Sequence, residues 1–173
     1  MQLPFPDGVF DAVVCQFGVM FFPDKAGAFA EVRRVLSPGG VFIFNVWDRI
    51  EENEFADIVT AALAALFPQT PPRFMARTPH GYHDRAILER DLKSGGFFAS
   101  STIETVTKRS QASSPRIPAI AYCQGTLLRN EIEAIDPVRL GEATDLVEQA
   151  LARHFGAGPV DGKIQAHVVT VAR

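Results

Sequence analysis

The segment that most restricts what this chain can fold into is Val41 to Trp47, VFIFNVW. Successive side chains of a β-strand point to opposite faces, and this stretch is apolar on both. A strand that does not alternate is covered on both sides, as in a parallel sheet flanked by helices. What precedes it agrees. Phe10 to Gln16 (FDAVVCQ) is a short apolar run rich in β-branched residues, and the turn formers Pro4, Pro6, Asp7 and Gly8 lead into it, so it reads as a strand. Asp24 to Leu36 carries Ala28, Phe29, Val32, Val35 and Leu36 at helical spacing, with Asp24 as N-cap. Ser37-Pro38-Gly39-Gly40 is expected to stop that helix, with the glycines as capping residues. Strand, helix and strand make a βαβ unit, and the fold class is α/β.

Further along, Glu51 to Phe67 places Phe55, Ile58, Val59, Ala62, Leu63 and Leu66 on one stripe and predicts a second helix. Pro68 to Pro79 reads as a loop, and Asp84 to Ser94 as a short helix ended by Gly95-Gly96. Phe97 to Thr107 is expected to be a strand. Ser113 to Pro118 reads as a break, and Ala119 to Gly125 as a short element of undecided type. Pro137 to Phe155 has helical spacing, and Lys163 to Ala172 alternates as a terminal strand does.

The length of 173 residues suits a single domain, 1–173, able to bury roughly 70% of the surface of its unfolded form. With 20 acidic against 17 basic side chains the net charge is −3, which argues against a nucleic-acid partner. No apolar run reaches the roughly 18 residues of a membrane span, and no signal peptide is visible at the start, so a cytoplasmic chain is expected. Two cysteines, Cys15 and Cys123, are too few for a disulfide framework. The histidines are too sparse for a zinc site, so no metal is expected.

Two segments together resemble a known family. LPFPDGVFDAVVCQFGVMFFPD (Leu3 to Asp24) and EVRRVLSPGGVFIFNVWD (Glu31 to Asp48) look like the second half of a class I S-adenosylmethionine-dependent methyltransferase, closest to the ubiquinone/menaquinone-biosynthesis-like branch, methyltransferase type 11. The resemblance rests on an LPF-x-D-x-x-F-D lead into the fourth strand, a helix ending R-V-L-x-P-G-G, and the fifth strand, in that order. PHGYHD (Pro79 to Asp84), LKSGGF (Leu92 to Phe97) and the C-terminal IQAHVVTVAR look like the family's substrate-side insertion and last strands. It implies a partial Rossmann-like sheet, the family's fourth to seventh strands, with helices on its faces and a substrate-side insertion within 68–162.

The same resemblance implies S-adenosyl-L-methionine as cofactor and a small-molecule methyl acceptor as partner, joined by direct displacement. The family's glycine-rich turn after its first strand is not found in these residues, so weak or absent binding by this chain alone is expected. Met1 then corresponds to an internal methionine of a longer, here truncated, methyltransferase. The alternative is an inactive remnant acting through protein association. A strand at Phe10–Gln16 without its usual neighbour would expose an edge and favour self-association.

Ligands of open parallel sheets bind beyond the carboxyl ends of the strands. By resemblance, Gln2 and Leu3 would lie under the adenine, and Cys15, Gln16 and Phe17 would line the cofactor cleft. Met20, Asn45, Trp47 and Tyr82 are candidates for the substrate pocket; Met20 serves equally well in the core, and Asn45 as a buried hydrogen-bonded spacer. His80, Tyr82 and His83 are candidate catalytic groups, since a histidine can take a proton from an acceptor near neutral pH. The alternative for them is a solvated loop. His154 and His167 read as surface or packing residues.

Overall fold

The computed structural model describes residues 2–173. Four strands form one mixed sheet in the order β1 (Phe10–Gln16), β2 (Leu36–Trp47), β4 (Val160–Ala172) and β3 (Thr102–Ala112). β1 and β2 run parallel, with Cys15 beside Phe44 and Gln16 beside Asn45, while β4 is antiparallel to β2. The described residues also hold seven α-helices, so the α/β expectation stands. Two compact units divide the chain. One comprises the described residues through Asp48, Tyr82–Val106 and Ala166–Arg173; the other comprises Arg49–Gly81 and Thr107–Gln165.

In the first unit, α1 (Lys25–Val35) begins where the Asp24 carboxylate accepts the Gly27 N–H, as the sequence led us to expect. It buries Ala28, Phe29, Val32 and Val35. α4 (Arg85–Ser94) starts in the same way, its Asp84 side chain accepting from Ala86 and Ile87, and buries Leu88 and Leu92. The two helices approach closely at Gly95, where a Cβ would lie 2.5 Å from that of Phe29. Phe29, Phe42, Phe44 and Phe97 fill the centre of this unit with ring centroids 4.9 to 5.9 Å apart. Each such ring contributes about 1.5–3 kcal/mol by leaving water. One face of β2, with Phe42, Phe44 and Val46, is therefore buried, whereas the alternate residues Val41, Ile43, Asn45 and Trp47 are half-exposed.

Two boundaries differ from the sequence expectation for physical reasons. Ser37-Pro38-Gly39-Gly40 does not cap α1: the helix passes directly into extended backbone at Leu36, and these residues form an irregular start to β2. There the pairing with β1 slips between Phe10 and Ala12, and the Ser37 hydroxyl donates to Asp11. The third strand begins at Thr102, not Phe97, because Phe97 is claimed by the core and its N–H donates to Leu92 to close α4.

The second unit is mainly helical: α2 (Glu54–Leu66), α3 (Phe74–Arg77), α5 (Arg116–Gly125), α6 (Leu128–Ile135) and α7 (Leu140–Phe155). Its core joins Phe55, Val59 and Leu63 with Cys123, Ile132, Val147 and Leu151. α3 lies inside the expected proline loop, α5 resolves the undecided element, and α6 was not anticipated.

Candidate functional site

The carboxyl ends of β1 and β2 lie side by side, and there the chain does something costly. Phe17, the residue after β1, is the one non-glycine residue among those described with a positive φ, at 49°. A β-branched or bulky side chain is seldom found in that region, so the surroundings must hold it. They do: the Phe17 N–H donates to Asn45 Oδ1 at 2.8 Å, and its ring stacks on the Trp47 indole with centroids 4.1 Å apart and planes 16° apart. Gly18 follows, seated against Cys15 so closely that a Cβ would meet Sγ at 2.8 Å. Burial pushes the Cys15 thiol up, against a smaller opposing pull from the Gly18 and Val19 N–H groups, so Cys15 stays a neutral thiol near pH 7.

Gln16 is exposed at this rim, while Met20 is buried in the core of the unit together with Val19. Leu3 is tied to α1, its N–H donating to Glu31 at 2.8 Å and its carbonyl accepting from Arg34. Arg34 and the Leu3 N–H hold the Glu31 carboxyl down to about 2. Gln2, next to it, is exposed.

The histidine and tyrosine candidates part company. His80 belongs to the second unit, where it is buried and its N–H donates to the Met75 carbonyl. Tyr82 belongs to the first; its hydroxyl donates to Asp91 at 3.0 Å, and the Lys25 ammonium stands 4.6 Å over its ring. Burial, followed by the Asp91 contact, keeps the phenol protonated well beyond the usual tyrosine range. Its ring is part of the buried core of this unit. His83 is half-buried in the first unit.

A polar line that the sequence reading passed over lies in this same unit. Asp48, directly after β2, places Oδ1 3.3 Å from His167 Nε2, and both residues are buried. His167 Nδ1 is 3.0 Å from the Thr105 hydroxyl, which accepts from Arg85 at 2.6 Å. Burial lowers the His167 pKa from its ordinary 6.5; Asp48 opposes the shift, and the charges of Arg85 and His83 add to it. The signal was available: His167 stands in phase with Val169 and Val171 on the apolar face of β4, opposite Val46.

A family model for the methyltransferase domain matches residues 1–44. The chain is 54% identical over 93 residues to a demethylmenaquinone methyltransferase of Lactiplantibacillus plantarum, an overlap of 54% of this chain and 38% of that protein. It is 40% identical over 106 residues to a ubiquinone/menaquinone biosynthesis C-methyltransferase of Paraburkholderia phymatum, covering 57% and 44% respectively. The overlap is thus less than half the length of either relative. A solved Bacillus halodurans C-125 protein assigned to the methyltransferases superposes over 99% of this chain and 67% of its own, with a TM-score of 0.54 and 15% identity. It carries the same fold. Over its first 44 residues the chain is thus similar to the methyltransferase domain, and its fold is that of the solved protein.

The chain supplies donors that suit the outer part of a cofactor site. The rim offers the exposed Gln16 amide, the Asn45 amide and the Phe17–Trp47 ring pair. Neutral amides suit ribose hydroxyls and a purine edge. The only glycine near the end of β1 is Gly18, and it packs on Cys15.

Proposed function

We propose that this chain serves methyl transfer from S-adenosyl-L-methionine to a small-molecule acceptor by direct displacement, with the rim of β1 and β2 as the working surface. The observation that carries the reading is the lock of Asn45, Phe17 and Trp47 at the ends of two parallel strands. Strain held in place by a specific hydrogen bond and a ring stack is what a preorganised ligand edge requires. The names of the two relatives, one for demethylmenaquinone and one for ubiquinone and menaquinone biosynthesis, support a small-molecule acceptor. In this reading Gln16 and Gln2 hold the polar groups of the cofactor, and Asn45, Trp47 and Tyr82 shape the acceptor side.

When bound, the cofactor supplies a sulfonium methyl group, an electrophile that needs no covalent help from the protein. The work left to the chain is to align the acceptor and exclude water. The ring pair gives a rigid apolar wall, and Asn45 fixes its angle. No described helix is long and apolar enough to cross a membrane. Both cysteines are unpaired thiols, in keeping with the cytoplasmic setting we propose.

The test uses the single tryptophan of the chain, Trp47. Titration with S-adenosylmethionine or S-adenosylhomocysteine is expected to change Trp47 emission saturably. The affinity expected is weak, with a Kd of about 1 mM or somewhat below, because one glycine offers little backbone cradle. Gln16→Ala is expected to weaken it further. Unchanged emission together with no heat in calorimetric titration at several millimolar ligand overturns the reading.

A further inference from the structure

The line Asp48, His167, Thr105 and Arg85 has a direction. A carboxylate only accepts, so the hydrogen between Asp48 and His167 sits on Nε2. The imidazole is neutral near pH 7, because burial and the charges of Arg85 and His83 outweigh the pull of Asp48. Nδ1 therefore carries a lone pair, and the hydroxyl 3.0 Å away, that of Thr105, donates to it. Arg85 donates in turn to Thr105 Oγ1. Every contact along the line has one donor and one acceptor, all pointing from the exposed Thr105 toward the buried carboxylate. This is the order of hydroxyl, base and orienting acid that prepares a group to pass on a proton. It lies beside the carboxyl end of β2, since Trp47 pairs with Ala166 and Val46 with His167.

We propose that Thr105, His167 and Asp48 form a proton relay that takes the proton leaving a hydroxyl-bearing methyl acceptor; this rests on the methyl-transfer reading above. The acceptor O–H gives its proton to Thr105 Oγ1 while the Thr105 proton passes to His167 Nδ1. Asp48 stabilises the resulting imidazolium, and the Arg85 guanidinium stabilises the oxyanion. The oxyanion lone pair forms the bond to the methyl carbon as the carbon–sulfur bond breaks, its pair remaining on sulfur. His167 later returns the proton to solvent through Thr105. The substrate class that follows is a phenol or an enol.

Two measurements test this. Long-range proton–nitrogen correlation spectra of the ¹⁵N-labelled chain at pH 7.5 report the tautomer of each of its four histidines. His167 is expected as the Nε2–H form, and Thr105→Val is expected to move its Nδ1 resonance without changing the tautomer. An Nδ1–H tautomer overturns the relay whatever the chemistry does. The second measurement follows methyl transfer from radiolabelled S-adenosylmethionine to catechol as the probe acceptor. Thr105→Val and His167→Asn are expected to lower kcat by about 10²–10⁴-fold, with KM little changed and part of the rate recovered at high pH. Thr105→Val is the safer variant, since that side chain is exposed while His167 is buried. Equal rates and pH profiles for Thr105→Val and wild type overturn the relay alone. Absence of transfer by the wild-type chain at saturating cofactor and catechol overturns the methyl-transfer reading and the relay's role in it, and the tautomer spectrum separates that outcome from a wrong geometry.

Discussion

The side chain of Asn45 reaches from the second strand to the backbone of Phe17 beyond the first, Oδ1 accepting its N–H at 2.8 Å. One amide thus joins the ends of two strands and holds the backbone there in a conformation it would otherwise leave.

Replacing Asn45 with valine keeps the strand but leaves the Phe17 N–H without this acceptor. The expected loss is about 1–3 kcal/mol of unfolding free energy. Urea denaturation followed by Trp47 emission measures it, and the native-state emission should shift as the stacked ring departs. An unaltered midpoint and spectrum would show that the bond does not hold the rim.

Gly18→Ala puts a methyl group into the Cys15 sulfur, since the added carbon would sit 2.8 Å from Sγ. Overpacking of this kind costs about 1–3 kcal/mol. In a Cys15→Ala background the obstacle is gone, so the same alanine should cost markedly less, giving a coupling of at least about 0.5 kcal/mol. Additive effects in the double-mutant cycle would refute the close contact.

The stability of the chain should depend on His167 with a definite sign. Its folded pKa lies below the ordinary 6.5, so the unfolded chain binds the proton more readily than the native one. Linkage then makes unfolding free energy rise with pH through that window. Stability is fully present above pH 6.5 and is lost as pH falls toward the folded value. In His167→Gln the slope between pH 7 and 5 should flatten, as read from thermal midpoints at fixed ionic strength. A slope identical in both proteins would assign it to other groups.

β1 is the terminal strand of the sheet, and Val14 at its middle is 67% exposed. An apolar edge of this sort is expected to pair with another chain, here a second copy. Sedimentation velocity should show concentration-dependent association of the wild-type chain and its suppression in Val14→Lys. Two monomers at every concentration would count against edge pairing.

Much of the first unit was legible because its signals are local. Asp24 announces the helix it caps, and Phe29 and Val32 fall at helical spacing, whereas Val41–Trp47, apolar on both faces, read as covered on both sides and is buried on one only. The third strand was misplaced because TIETVTKRSQA is polar on both faces. Its register is set by rungs to β4, such as Thr107 to Gln165 and Arg109 to Asp161, and not by its own pattern. α6 was missed because only Leu128, Ile132 and Ile135 mark its apolar stripe over eight residues. At the site, the end of β1 was legible, and so was the buried phase of His167, but not its partner. His167 meets a hydroxyl 62 positions away, and nothing local to IQAHVV foretells that meeting.

Phe17 answers two demands that pull apart. Its backbone is left-handed, which glycine or asparagine meets most easily, while its stack on Trp47 demands an aromatic ring. Drift at this position is therefore confined: a lineage can keep the turn with glycine and forfeit the ring, or keep the ring and carry the strain. Where the ring persists among descendants, Asn45 and Trp47 should persist with it, the three inherited as one trait.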